Sequence, residues 1–173
     1  MVAIARFTDK DFHTVTSWNV SARAGLGSSG DDVRLIQYLL ARAPEAGAIR
    51  PDRISGDSGI TVDDVDGSWG PKTTAAVSWL EQSYRSQNGN DFADGVIDPM
   101  PFHQDHFDVG STTFQYKIMS LQVLYSIVIL QDRFETASDS EFFGAIMAMP
   151  ADGQCPVALA IALTTAATLQ DFR

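Results

Sequence analysis

The stretch DGSWGPKTTAAVSWLE, residues 66–81, carries the strongest fold signal in this chain. An Asp-Gly turn at 66–67 runs into Gly70-Pro71. Proline suits the first position of a helix, because the N–H that it lacks would have no partner within the helix. The following positions with helical spacing are small or apolar, namely Ala76, Val77, Leu80 and Trp79. The segment therefore predicts a turn and then a helix from Pro71 to about Tyr84.

A second helix signal lies upstream, in GDDVRLIQYLL at residues 30–40. Asp31 and Asp32 suit the positive end of a helix. The apolar positions repeat with a period close to 3.6 residues, at Val33, Ile36, Leu39 and Leu40. We predict a helix that ends at about Arg42. Gln37 is a polar residue next to this apolar row, and we interpret it as a hydrogen-bonding brace for the Asp-Gly turn.

This order of motifs resembles the peptidoglycan-binding-domain-like family. The resemblance rests on the Ile36-Gln37 pair in a helix, the DGxxGPxT pattern that begins at Asp66, and Ala76-Val77 in the next helix. That family is a small all-helical module that binds the cell wall and has no catalytic activity. The resemblance covers about residues 25–100 and implies the same helical fold there.

The rest of the chain divides around this module. Residues 1–24 form an N-terminal arm, in which VAIARF and FHTVTSWNV alternate enough for short strands or for an arm packed on the body. Residues 43–65 are rich in Gly, Pro and Asp and predict a loop. A second Asp-Gly turn at 93–100 has Asp98 where the family has glycine, which argues against a closing helix. Residues 101–173 predict a C-terminal helical region packed on the module, and the predicted fold class is all-α.

Three helices are expected in that C-terminal region, at about 111–130, 138–149 and 157–169. Leu121-Gln122 followed by Asp152-Gly153 has nearly the spacing of Ile36-Gln37 followed by Asp66-Gly67. Either the second half is a degenerate repeat of the first, or the match is a coincidence between helix–turn–helix units. Residues 118–130 are apolar on nearly every side, which is typical of a helix buried at the centre of a bundle.

The charge balance limits the partners. The formal net charge is −10, and the chain has no run of Lys or Arg to neutralise phosphates, so we expect no nucleic-acid partner. A basic protein partner would suit this surface better. No apolar stretch approaches the roughly 20 residues of a membrane span. The N-terminus lacks a charged head with an apolar core, so we expect synthesis in the cytoplasm and a non-classical export route for any wall contact.

Residue types that carry catalysis or bind metals are present but poorly arranged. His103, Asp105, His106 and Asp108 lie close together, but prolines on either side of Met100 favour a solvated loop. The acids of residues 57–66 do not fit a calcium-loop pattern. Neither a paired-carboxylate site nor a nucleophile with a base is recognisable, and Cys155 is expected to be an inert, at least half-buried thiol. We predict no enzyme activity, no metal and no cofactor.

Aromatic side chains near the turn are the candidate binding residues. A sugar presents an apolar face with hydroxyls at its rim, so exposed aromatic rings with polar neighbours would suit it. The predicted ligand-binding residues are Trp69, Tyr38, Tyr84 and Arg85. The alternative for Trp69 is that its ring pins the turn onto the first helix.

Two functional hypotheses follow. In the first, the chain is a non-catalytic module that anchors to peptidoglycan or to a wall-associated assembly. In the second, it is a protein–protein adaptor, or a structural component of a secretion, phage-like or envelope apparatus, that reuses the same scaffold. Fold resemblance alone does not choose between them.

Overall fold

The computed structural model describes residues 1–8, 14–49, 56–88, 94–99, 121–129 and 139–171. The histidine-containing segment 103–108 and the first part of the predicted 111–130 helix lie outside these residues. The elements within them, in chain order, are β1 (Ala3–Thr8), β2 (Thr14–Asn19), α1 (Asp31–Ile49), α2 (Pro71–Asn88), α3 (Leu121–Ile129), α4 (Asp139–Ala148) and α5 (Val157–Asp171). Short 3-10 turns occupy Val62–Asp64 and Met149–Ala151.

The prediction of an all-α fold is wrong, because the N-terminal residues form a two-stranded sheet. β1 and β2 pair antiparallel, with Ala3 opposite Asn19 and Thr8 opposite Thr14. Aromatic and β-branched residues favour this pleated, half-buried setting, as in the Ile4–Trp18 cross-strand pair. β1 packs against α5 and β2 against α4, so the hairpin covers part of the helical core. The fold is therefore mixed, with helices predominant.

α1 and α2 begin where the sequence predicts, and both run further than predicted. α2 starts at Pro71 and continues to Asn88, past the predicted end at Tyr84. α1 continues to Ile49, past the predicted end at Arg42, and carries Pro44 inside it. An internal proline removes one backbone hydrogen bond and crowds the preceding turn. The alanines that surround it are strong helix formers and favour continuation.

α1 lies at the centre of the core. It packs against α2, α3 and α5, and its apolar residues are fully buried on several sides, including Val33, Leu35, Ile36, Leu39 and Leu40. α3 is tied to the hairpin by a buried hydrogen bond, in which the Tyr125 hydroxyl donates to the Trp18 carbonyl at 2.9 Å. One continuous cluster of buried side chains includes residues from the hairpin and from all five helices.

The second Asp-Gly turn leads into extended chain. Within residues 94–99, Ile97 exchanges backbone hydrogen bonds with Ala24 at 2.9 and 3.0 Å, and no helix follows in this range. None of the helices found in the described residues has both the length and the apolar character to cross a membrane.

Candidate functional site

Gln37 holds the Asp-Gly turn in place, as the sequence predicts. Its side-chain oxygen accepts from the Gly67 amide at 2.9 Å. Its side-chain nitrogen lies 3.0 Å from Asp66 Oδ1, 3.1 Å from the Ser68 carbonyl and 3.0 Å from Thr73 Oγ1. The buried Gln37 carboxamide on α1 thus contacts residues 66–68 of the Asp-Gly turn and also Thr73 near the start of α2. The prediction that Gln37 is a brace is confirmed.

The backbone of the turn is anchored a second time. Ser28 and Gly30 bond to Trp69 and Gly67, with the Gly30 amide 2.8 Å from the Gly67 carbonyl and the Trp69 amide 3.0 Å from the Ser28 carbonyl. Gly67 has a φ of +81°, a conformation that residues with a Cβ rarely adopt. A Cβ added there would lie 3.0 Å from Arg34 Cγ. The position therefore requires glycine for both conformation and space.

Two of the predicted ligand-binding residues, Trp69 and Tyr38, are buried. Trp69 is 3 % exposed, and its indole N–H donates to Thr74 Oγ1 at 3.2 Å. Tyr38 is 2 % exposed, and its hydroxyl donates to Asp152 Oδ2 at 3.0 Å. This geometry favours the alternative in which Trp69 pins the turn. Tyr84 and Arg85 lie in α2, and their side chains are outside the described residues.

Asp152 shows that the second half of the chain also docks on α1. Its Oδ2 atom accepts from Tyr38 and from the Arg42 guanidinium at 3.1 Å, and its Oδ1 accepts from the Gln154 amide at 3.0 Å. The Gln154 amide, followed by Tyr38 and Arg42, holds the pKa of Asp152 below its usual value. Both Asp-Gly turns therefore contact α1, residues 66–67 through Gln37 and residues 152–153 through Tyr38.

The exposed face of α5 is a further feature that the sequence analysis did not identify. Val157, Ile161 and Leu169 are 76 %, 62 % and 54 % exposed, although each is a large apolar residue. Leu159 and Leu163 on the opposite face are buried. No charged side chain occurs from residue 157 to residue 170. An apolar helix that looks like a core element in the sequence thus presents one side to solvent.

Grooves run along both sides of this α5 face. One, of about 510 Å³, is lined by residues that include Pro150, Asp152, Cys155, Val157 and Ile161. The other, of about 290 Å³, is lined by residues that include Ala158, Ala162, Thr165 and Leu169. Small side chains at the second groove allow another backbone to approach α5 closely.

Two titratable groups near these features have raised pKa values. Burial raises the pKa of the Cys155 thiol to about 11, so it stays protonated at neutral pH and is a poor nucleophile. Burial also raises the pKa of Glu81, on α2, to about 7. Among the described residues, no group of three or more His, Cys, Asp or Glu side chains is placed to hold a metal ion.

Comparisons with known proteins add no relative. No protein-family model matches the chain, and neither the curated proteins nor the solved structures contain a match. The geometry of the chain itself is therefore the basis for any functional proposal.

Proposed function

We propose that this chain is a non-catalytic adaptor that binds another protein through the exposed face of α5. The observation that carries the proposal is the row formed by Val157, Ile161 and Leu169, which the fold leaves exposed. Single exposed apolar residues are ordinary, whereas several on one helix face, here with only Thr165 between Ile161 and Leu169 and with grooves beside them, are typical of an interaction surface. Fully burying one such side chain contributes about 1.5–3 kcal/mol.

The shape of this surface favours a helical partner segment. Residues 157, 161, 165 and 169 lie four positions apart on one face of α5, and all but Thr165 are large and apolar. An amphipathic helix with apolar residues at similar spacing can cover this face. The groove at Ala158 and Ala162 gives room for that segment to lie close to α5. This mode of binding requires no catalytic group.

The charge of the chain favours a basic partner. The net charge is −10, while α5 itself is uncharged from residue 157 to residue 170. A partner whose apolar residues are flanked by Lys or Arg gains from the surrounding field. A second copy of this chain would bring another −10, so self-association is disfavoured. We therefore propose a basic amphipathic segment as the occupant.

Two synthetic helical peptides test this proposal. They share one leucine face, and their polar faces carry either lysine or glutamate. In titrations of the protein followed by amide NMR, the lysine peptide should shift the signals of α5, and the glutamate peptide should leave them unchanged. Equal effects of the two peptides, or shifts confined to other helices, would refute the proposed partner chemistry.

A matched pair of variants adds the control. Ile161→Lys places a charge on the proposed surface, whereas Leu26→Lys makes the same type of change at a residue that is 75 % exposed and outside α5. Only Ile161→Lys should abolish the shifts. Light scattering on the free protein tests whether a second copy of the chain occupies this surface instead. A dimer that Ile161→Lys converts to a monomer would contradict the proposal.

Peptidoglycan binding is the second candidate function, and the braced DGSWGP turn is the observation that favours it. With Trp69 and Tyr38 buried, the wall contact would have to use other residues of this region, such as Tyr84 and Arg85. Sedimentation with insoluble peptidoglycan tests it. Retention that falls in Tyr84→Ala or Arg85→Ala, with helicity intact, would support wall binding, and no retention of the wild type would reject it.

A further inference from the structure

The larger groove beside α5 brings a carboxylate next to the exposed apolar face. Asp152, Val157 and Ile161 all line this groove, which has a volume of about 510 Å³. Of the described residues that line it, only Asp152 carries a charge. The Asp152 side chain is 37 % exposed, so a ligand in the groove can reach it. The groove therefore combines an apolar wall with one accessible negative charge.

The hydrogen bonds of Asp152 leave room for one more donor. A carboxylate accepts at about four lone-pair sites, two on each oxygen. Oδ2 accepts from the Tyr38 hydroxyl and from Arg42 Nη1, and Oδ1 accepts from the Gln154 amide. Within the described part of the chain, both sites on Oδ2 are thus filled, and one site on Oδ1 has no donor.

The neighbouring charges do not neutralise this carboxylate. Arg42 Nε lies 3.0 Å from Glu45 Oε2, and Arg42 Nη1 lies 3.1 Å from Asp152 Oδ2. One guanidinium thus faces two carboxylates, which leaves these three side chains with an excess of negative charge. The bond from the Gln154 amide, followed by that from Tyr38, holds the pKa of Asp152 below its usual value, so the carboxylate is ionised at neutral pH.

We infer that Asp152 binds a lysine of the basic amphipathic segment, an assignment that rests on the proposed function of α5. The four-carbon stem of the lysine packs along Val157 and Ile161, and its ammonium group donates to Asp152 Oδ1. Arginine suits the site less well, because a bidentate guanidinium needs an acceptor site on both oxygens. α5 is uncharged from residue 157 to residue 170, so the contact places the partner's lysine beside the Val157 end of the helix.

A double-mutant cycle between protein and peptide tests this contact. The helical peptides have one leucine face and a glutamine-rich polar face, with a single lysine in the first or the last turn. For each of them, a second peptide carries norleucine in place of the lysine, which keeps the hydrocarbon stem and lacks the ammonium group. Asp152→Asn should weaken the binding of one lysine peptide by about three- to tenfold and that of its norleucine counterpart by less than about twofold.

Asp57→Asn is the matched control for this variant. Asp57 is exposed in a loop and does not line the groove. Its Oδ1 atom accepts from the Gly59 amide, just as Asp152 Oδ1 accepts from the Gln154 amide. Asp57→Asn therefore removes the same charge and keeps an acceptor for the same kind of bond. Since distant exposed charges are screened by salt, it should leave every affinity within about twofold of the wild type.

The outcomes separate this inference from the proposed function. Equal weakening of the lysine and norleucine peptides by Asp152→Asn would show that the carboxylate only supports the fold. That result, or no weakening of either peptide, would overturn the lysine contact, while Ile161→Lys tests docking on α5 independently. If the wild type bound none of the peptides, the proposed function and this inference would both fall.

The carbon NMR signal of the wild-type Asp152 carboxyl group makes the test independent of any variant. One lysine peptide should shift this signal, and its norleucine counterpart should leave it unchanged. A signal that neither peptide shifts, or that both shift equally, would overturn the inference.

Discussion

Replacing Gln37 by methionine removes the brace of the Asp-Gly turn while nearly preserving side-chain length. The Gly67 amide then loses its acceptor, and the Ser68 carbonyl and Thr73 hydroxyl lose a donor. Leaving one buried polar group unpaired costs about 1–3 kcal/mol. Asp66 is exposed and can bond to water instead, so its lost contact adds little. We expect the free energy of unfolding to fall by about 2–3 kcal/mol.

Urea unfolding followed by circular dichroism measures this change. The slope of the transition should stay constant while its midpoint falls. Gln82→Met is the matched control, because Gln82 is exposed on α2 and its replacement should change stability by less than about 0.5 kcal/mol. If Gln37→Met cost no more than Gln82→Met, the hydrogen bonds of the turn would not be what joins α1 to α2, and this reasoning would be wrong.

Three further predictions concern stability. Gly67→Ala should lower the free energy of unfolding by about 1–2 kcal/mol because the φ of Gly67 is +81°. Gly144→Ala, at an open helical position in α4, should raise it by about 0.5–1 kcal/mol. Thermal unfolding of both variants tests these opposite effects. Tyr125→Phe should lower it by about 0.5–1.5 kcal/mol, measured in guanidinium, because the Trp18 carbonyl loses one of two buried hydroxyl donors and keeps only that of Ser17. The raised pKa of Glu81 means that the folded state binds the extra proton, so stability should fall by about 1–2 kcal/mol, after allowance for solvent screening, as pH rises from 4.5 to 7. Urea midpoints across that range should show this fall in the wild type and a smaller one in Glu81→Gln, where only the partly buried Asp98 side chain still has a raised pKa among the carboxyl groups of the described residues.

The features near the turn could be predicted from the sequence because their signals are local. Pro71 marks the start of α2. Gln37 lies beside an apolar row, and a polar side chain that is buried there needs a hydrogen-bond partner. By contrast, the β hairpin depends on pairing between two separated segments, so alternation alone left strands and an irregular arm as equal alternatives. Pro44 misled the prediction for α1, since its local penalty is outweighed by the surrounding helix.

The candidate site was harder to predict because it depends on contacts between distant residues. The Trp69 indole bonds to Thr74, and the Tyr38 hydroxyl bonds to Asp152, which is more than 100 positions away in the sequence. The sequence of α5 is apolar on all sides, which is equally compatible with a central helix and with a helix whose outer face awaits a partner. Only the packed arrangement separates the buried Leu159 and Leu163 from the exposed Ile161.

The most direct test of the account is the affinity of the labelled lysine-faced peptide for three proteins, measured by fluorescence anisotropy. The wild type and Leu26→Lys should bind with equal dissociation constants. Ile161→Lys should bind at least about tenfold more weakly, because one apolar anchor worth about 1.5–3 kcal/mol is lost. Equal binding by Ile161→Lys and the wild type would contradict the assignment of α5 as the docking surface.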